Sequence, residues 1–268
     1  MLDTSRSGYY DWRKRKQSLR EEANEALIKQ IYQVHHKSRE TYGSPRVHAE
    51  LEQQGYLCSR NRIARLMRLN GLVGRRKYNK VTTTNSKHTY PVVPNLLNRQ
   101  FYAEQPNQKW VSDITYIHTR EGWLYLAGIM DLFSRRIIGW NMGAQINSDL
   151  VVRALRMALY QRQPSKGLLH HSDRGSQYAS NQIRKILASN QINVSMSRTG
   201  NCYDNAVMES FFSTLKCEWV GFQKYETRVQ ARKDIFTYIE GFYNTVRLHS
   251  TLGYLSPKMY EAKYYQSP

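Results

Sequence analysis

The chain has 268 residues, with 40 Lys and Arg against 21 Asp and Glu, a formal charge of +19. That length accommodates one or two domains, and so large a positive surplus calls for a polyanionic partner, nucleic acid before a membrane surface. No stretch approaches the roughly 18–20 apolar residues of a membrane span, and three scattered cysteines, Cys58, Cys202 and Cys217, exclude a disulfide scaffold and a CxxC zinc site. The opening MLDTSRSGYYDWRKRK has a basic run but no apolar segment behind it, unlike a signal peptide. A cytoplasmic, nucleoid-associated protein is expected.

The charge is uneven. Residues 1–100 carry 20 Lys and Arg and 8 Asp and Glu. The first third is therefore the expected region of phosphate contact, against the plainer reading of a solvated basic surface. Leu19, Ala23, Ala26, Leu27, Ile31 and Val34 recur at helical spacing and predict a helix over 18–37. Ser44-Pro45 then reads as a cap followed by Pro in the first turn, and Gly55 ends that helix. Ser59 can cap a second helix that stops at Asn70-Gly71. On it Ile63, Leu66 and Met67 share one face, and Arg62, Arg65 and Arg68 lie on another. Two short helices with an arginine-lined second one suit a helix-turn-helix. An ordinary helical hairpin with a basic face is the alternative. Residues 75–100 have weak periodicity, two prolines and a Thr/Asn/Ser run, which reads as a basic extended linker.

From Lys109 the pattern changes. WVSDITYI (110–117), WLYLAGIMD (123–131) and RRIIGWNMG (135–143) predict a three-stranded antiparallel meander. A helix capped by Ser148 follows, then a strand over 167–172, a helix over 179–189, a strand over 192–197, a helix over about 204–218 and a last long helix over 226–246. This order predicts an α/β fold with a mixed five-stranded sheet flanked by helices, preceded by an all-α region.

Three acids stand out. Asp113 lies inside the first strand, where an acid is costly unless paired or bound to metal. Asp173 follows the fourth strand, at the strand end where α/β sheets open ligand crevices. Glu209 lies on the helix of DNAVMESFFSTLK. Three carboxylates converging from two strands and a helix make an all-oxygen site of the kind Mg²⁺ or Mn²⁺ prefers. Two such ions can activate a hydroxyl and steady the leaving oxygen of a phosphodiester. Lys216, seven residues beyond Glu209 on the same helix face, can touch a DNA phosphate or stand solvated near the helix end.

WVSDITYI, HSDRGSQY, DNAVMESFFSTLK, YNTVRLHSTLGYLSPKMYE and the segment YGSPRVHAELEQQGYLCSRNRIARLMRLNGL together resemble the transposases of the insertion sequence 3 family, second-reading-frame product. The resemblance runs from about residue 8 to 262. It implies a ribonuclease-H-like, retroviral-integrase-like core with Asp113, Asp173 and Glu209 as its metal-binding acids. It also implies Mg²⁺- or Mn²⁺-dependent cleavage at element ends, then joining of a freed 3′-hydroxyl to another strand. The implied partners are double-stranded DNA, as terminal inverted repeats and as target, and further copies of the chain as a homo-oligomer on that DNA. Four segments result: 1–74 helical with the helix-turn-helix, 75–104 basic linker, 105–222 catalytic core, and 223–268 C-terminal helix and tail. Arg62, Arg65, Arg68, Arg75, Arg76, Lys77 and Lys216 are the expected DNA contacts. The family also implies a frameshift fusion in which an upstream reading frame adds a helix-turn-helix and a coiled coil. A regulatory DNA-binding partner or inhibitor of that longer fusion, inactive alone, is therefore the alternative function. A ribonuclease-H-like nuclease that cuts without joining is less favoured, because it has no need of a sequence reader.

Other residues carry weaker expectations. His170 and His171 are expected to pack at a strand end, Asp131 to form a turn, and Asp204 and Asn205 to cap the Glu209 helix, with Asn205 also a candidate to order the site through hydrogen bonds. Arg247 and His249 divide evenly between substrate contact and packing.

Overall fold

The computed structural model describes residues 5–76, 93–198 and 202–266. They fall into two compact units, Met1–Arg75 and Arg76–Pro268. In the first, Ser5 caps α1 (Arg6–Lys14), and Ser18 and Glu21 form a reciprocal capping box at the start of α2 (Leu19–Lys37). α2 packs Leu27, Ile31 and Val34 with Val47 and Leu51 of α3 (Ser44–Gln53) and Ile63, Leu66 and Met67 of α4 (Arg60–Leu69). Each such side chain, fully buried, contributes about 1.5–3 kcal/mol. Ser59 caps α4 as its spacing predicts. At α3 the cap position falls to Gly43, and Ser44 and Pro45 are the first two helical residues. Pro lacks an N–H, so one donor that a side-chain cap would satisfy is absent there.

The second unit is built on β1 (Lys109–Thr119), with β2 (Gly122–Asp131) antiparallel beside it and β3 (Ile137–Gly143) antiparallel beyond. β4 (Leu169–Ser172) runs parallel to β1 on its other side, and β5 (Asn193–Met196) runs parallel to β4. The order β3-β2-β1-β4-β5 is the expected mixed five-stranded sheet. α5 (Ser148–Arg162) and α6 (Asn181–Ser189) share a buried apolar cluster with Trp110, Ala127 and Ile129 on one face. α7 (Ala206–Glu218) covers the other. On each face one helix comes close to the sheet. A Cβ on Gly139 would stand 2.8 Å from Ala158 Cβ of α5, and one on Gly128 would stand 3.1 Å from Met208 Cε of α7. The cap of α5 is Asn147, not Ser148, because the Asn147 side chain reaches the Leu150 N–H.

Residues 93–104 of the expected linker lie against this sheet. Leu97 is buried, and the Leu96 and Leu97 N–H groups both donate to Ser195 Oγ on β5.

The C-terminal region departs from the single helix expected over 226–246. Thr227 caps α8 (Arg228–Tyr238), and a π-turn over Ile239–Tyr243 follows. The wider turn brings Ile239, Phe242 and Tyr243 all inward. Asn244 then leaves the helix, accepting from the Ile137 N–H and donating to the Ile137 carbonyl, both at 2.9 Å, at the start of β3. A further helix, α9 (Pro257–Gln266), was not expected, although Ser256-Pro257 repeats the Ser-Pro start of α3. Its buried Glu261 accepts from Ser134 Oγ and Arg136 at 2.7 Å and also pairs with Arg162.

Arg247 resolves as packing. Its Nε and Nη2 donate to the two carboxylate oxygens of Glu218 at the end of α7, at 2.7 and 2.6 Å, and all of it is buried. The His249 ring meets Tyr243 edge-on at 4.9 Å. Breaking a buried pair leaves an uncompensated charge, whereas replacing both partners with apolar groups does not. Arg247→Met should therefore lower unfolding stability by about 3–5 kcal/mol, and the double change Glu218→Leu/Arg247→Met should recover much of it. Equilibrium denaturation of the single variant at wild-type stability would show that the pair does not hold α7.

Candidate active site

The last paired residues of the parallel β1–β4 ladder are Ser112 and Ser172. Asp113 and Asp173 each come one residue later. Beyond this point β1 continues to Thr119, paired with β2 alone, while β4 ends and the chain leads away toward α6 and β5. Diverging connections of this kind open a crevice outside the strand ends. Asp113 stands opposite Gly128 in the β1–β2 ladder, so both face α7. The missing side chain at Gly128 admits Met208 and Phe212, and this close approach brings the first turn of α7, with Glu209, over Asp113.

Backbone contacts fix the two aspartates. Asp113 Oδ1 accepts from the Ile114 N–H at 2.8 Å, and Asp173 Oδ1 accepts from the Gly175 N–H at 3.0 Å. Burial, then the neighbouring Asp173, then Glu209 push the Asp113 pKa well above its ordinary value, against the Ile114 N–H and Lys216, which lower it. Partial burial also raises Glu209, the exposed member of the three. Lys216 is half-buried; burial lowers its pKa, and Asp113 opposes that shift. Its ammonium lies 4.4 Å from the centroid of the Tyr116 ring. Tyr178 joins the site without a local sequence signal that marks it. Its hydroxyl is fully buried beneath the acids, and burial followed by Asp113 and Asp173 raises its pKa.

Asn205 and Asp204 do not cap α7 with their side chains. Asn205 Nδ2 donates to the Ser112 carbonyl, tying the start of α7 to β1 next to Asp113, and its buried Oδ1 has no hydrogen-bond partner among the described residues. Asp204 is fully buried and pairs with Arg198 and Arg99, which hold its carboxyl far below the usual range, the Arg198 side chain foremost. Those arginines offer stronger partners than a helix N–H. Asp131 forms the expected turn, accepting from the Phe133 N–H at 3.0 Å, and burial raises its pKa to about 6. His170 and His171 are buried on β4, as expected of packing residues. His171 bonds Ser195 and Ser197, and burial lowers both rings to about 4.

Among the described residues no three His, Cys, Asp or Glu side chains already enclose a metal ion. Asp113, Asp173 and Glu209 instead line an open mouth. Their chemistry fits a hard divalent cation: all donors are carboxylate oxygens, and their mutual repulsion is what a cation relieves.

Of the expected DNA contacts, Arg65 and Arg68 are exposed on α4, and Arg62 is half-buried with its Nε on Asn24 of α2 at 2.9 Å. Arg76 is exposed, Arg75 pairs with Glu40 at 2.8 Å, and Lys77 lies outside the described residues.

Residues 103–202 match the family profile of the integrase core domain, residues 190–257 match a second integrase core profile, and residues 21–80 match an HTH-like domain. The chain is 47% identical over 266 residues to an uncharacterized 31 kDa protein of insertion element IS600 from Shigella sonnei, covering 99% of this chain and 98% of that one. It is 40% identical over 267 residues to transposase InsF of insertion sequence IS3A from Escherichia coli K12, covering 98% and 92%. It is 41% identical over 247 residues to the transposase of IS904 from Lactococcus lactis, covering 92% and 98%. A solved simian T-cell lymphotropic virus intasome has a chain that matches with a TM-score of 0.50 at 15% identity, covering 89% of this chain and 75% of that one. That likeness shows the ribonuclease-H-like fold of integrase cores. With its integrase core, its HTH-like domain and near full-length relatives in insertion elements, the chain belongs to the insertion sequence 3 family of transposase/integrase enzymes.

Proposed function

We propose that the protein binds the ends of an insertion element, cleaves them and joins a freed 3′-hydroxyl to target DNA. The observation that carries this is the convergence of Asp113, Asp173 and Glu209 at the open end of the β1–β4 ladder, where Asp173 and Glu209 add to burial in raising the proton affinity of Asp113. Asp113, within β1 where its pairing with β4 stops, Asp173, just past the end of β4, and Glu209, on the first turn of α7, would hold two Mg²⁺ or Mn²⁺ ions. When bound, such ions activate the attacking hydroxyl and steady the leaving oxygen of the phosphodiester. Lys216, beside Asp113, would pair with a DNA phosphate. Arg65 and Arg68, with Arg62, Arg75, Arg76 and Lys77, would neutralise phosphates along the element end. The partners in this reading are duplex DNA and further copies of the chain, in the bacterial cytoplasm. No helix among the described residues is long and apolar enough to cross a membrane.

Asp113→Asn, Asp173→Asn or Glu209→Gln should each abolish Mg²⁺-dependent cleavage and joining of a labelled element-end duplex while leaving its binding intact. Loss of binding in all three would sink the metal-site account.

The repulsion makes a second demand. A carboxyl whose folded pKa is raised costs stability as pH climbs from its ordinary pKa through the raised one. In chelator at pH 7, Asp113→Asn should therefore raise the melting temperature by about 2–4 °C, the shift that about 1 kcal/mol gives in a domain of this size. The gain should shrink as pH falls toward the ordinary carboxylate range. Added Mg²⁺ should stabilise the wild type and not the variant. A variant that melts lower than wild type in chelator would refute the crowding.

Arg65→Ala and Arg68→Ala should each lower the salt slope of end binding by about 1, with uniform loss of affinity. Arg62→Ala should weaken binding less and stability more, because its Nε is spent on Asn24. Unchanged affinity and salt slope in all three would remove α4 from the DNA interface.

A further inference from the structure

The segment ahead of β1 is tied to the core at several points. The Leu96 and Leu97 N–H groups share Ser195 Oγ, Lys109 Nζ donates to the Gln100 and Tyr102 carbonyls at 3.1 and 2.8 Å, and Arg135 donates to the Phe101 carbonyl at 3.1 Å. Within it the Gln100 N–H donates to the Leu97 carbonyl at 2.8 Å, closing a turn whose two middle residues, Asn98 and Arg99, have φ of 43° and 61°. Two left-handed residues in succession are the pattern of a type I′ turn, where Asn followed by Gly is the favoured pair. Asn98 fits that pattern, but Arg99 stands where glycine is easiest, because a Cβ is strained in this region. Strain of this kind persists where the surrounding structure puts the residue to use. The turn aims Arg99 at Asp204, and its Nε donates to Asp204 Oδ1 at 3.2 Å.

Asp204 is where the strands and the helix that carry the acids meet. Its Oδ2 accepts from the backbone N–H and the Nε of Arg198, at 2.9 and 3.1 Å, and its Oδ1 accepts from Arg198 Nη2 at 2.9 Å as well as from Arg99. Arg198 follows Ser197, whose N–H donates to the Ser172 carbonyl and whose carbonyl accepts from Arg174 Nε, so both chain neighbours of Asp173 are held there. On its other side Asp204 precedes Asn205, which grips the Ser112 carbonyl next to Asp113, and Glu209 comes five residues later on the first turn of α7. Arg198 and Asp204 are close in sequence, and such a pair orders the local chain more than it fixes α7 against the sheet. Arg99 comes from a distant segment that is itself anchored to β5 and β1. We propose that Arg99 is a positioning residue for Glu209: acting through Asp204, the turn at Leu97–Gln100 sets where α7 begins and so where the third acid stands relative to the other two. This rests on the function proposed above and gives the end of the expected linker a part in holding the metal-binding geometry.

The test replaces Arg99 in the full chain. Glycine suits the left-handed turn better than arginine does, and an ion pair made by a half-exposed guanidinium holds little stability. Arg99→Gly should therefore melt within about 2 °C of wild type in chelator. Its demand for metal should change instead. The Mg²⁺ concentration that gives half-maximal cleavage of a labelled element-end duplex should rise about 10-fold, and so should the one that half-saturates the Mg²⁺-induced rise in melting temperature. Arg99→Lys keeps a cation within reach of Asp204 and should retain most of the wild-type Mg²⁺ response. Unchanged Mg²⁺ requirements in Arg99→Gly overturn the proposal, as does an Arg99→Lys variant that needs as much Mg²⁺ as Arg99→Gly. A melting temperature well below wild type in chelator overturns it too, because Arg99 then supports the fold and not the acid. A wild type that Mg²⁺ neither activates nor stabilises overturns the function proposed above and the positioning with it, whereas a normal wild type beside an unchanged Arg99→Gly concerns the positioning alone.

Discussion

Carboxylates placed side by side repel, and this repulsion is the constraint the core is organised to withstand. Asp113 and Asp173 cannot move apart, because each follows the last paired residue of a buried parallel ladder. Their own backbones help to hold them, through the Ile114 and Gly175 N–H groups. Glu209 is brought in from a separate element and needs more support. α7 is pinned at its start by Asn205 on the Ser112 carbonyl and at its end by Glu218 on Arg247. Between those points Gly128 lets the helix sink onto the sheet. The three acids are thus held against their own charge, and a preorganised excess of negative charge of this kind would give an open site affinity for a divalent ion.

The opposite face of the sheet supplies the rigidity that makes this possible. α5 approaches so closely at Gly139 that no side chain fits there, and Trp110, Ile129 and Ala127 are buried beneath it. α9 closes the far end, where Glu261 gathers Ser134, Arg136 and Arg162. Burial works against that carboxylate, and the two arginines with Ser134 outweigh it, so its pKa falls. The same residue type is stabilised as an anion in one place and strained as an anion in another, and the difference lies in whether cations or carboxylates face it.

Much of this was legible in the sequence, and the reason is periodicity. The alternation in WVSDITYI placed Asp113 on a strand, and the glycine loop after Ser172 placed Asp173 at a strand end. Those two readings, with Glu209 on a helix, put the three candidate acids on the right elements because strands and helices with a clear apolar pattern have one way to face the core. What escaped was decided by tertiary partners that no local window contains. The stretch 226–246 reads as one helix, yet the π-turn at Ile239–Tyr243 and the exit at Asn244 depend on Ile137, more than a hundred residues away. Asp204 reads as a cap until Arg99 and Arg198 claim it. Arg247 divided evenly between two roles until Glu218 appeared beside it. In each case a charged or polar side chain found a distant partner stronger than its local one.

The distribution of charge then divides the labour within the chain. The first hundred residues hold the larger positive surplus, and the exposed arginines of α4 lie there. The catalytic core concentrates its carboxylates at one mouth, where a polyanion is repelled unless cations intervene. Duplex affinity is therefore best supplied away from the acids, and local attraction near them must come from a few placed groups. Lys216, held between Asp113 and the Tyr116 ring, would be such a group.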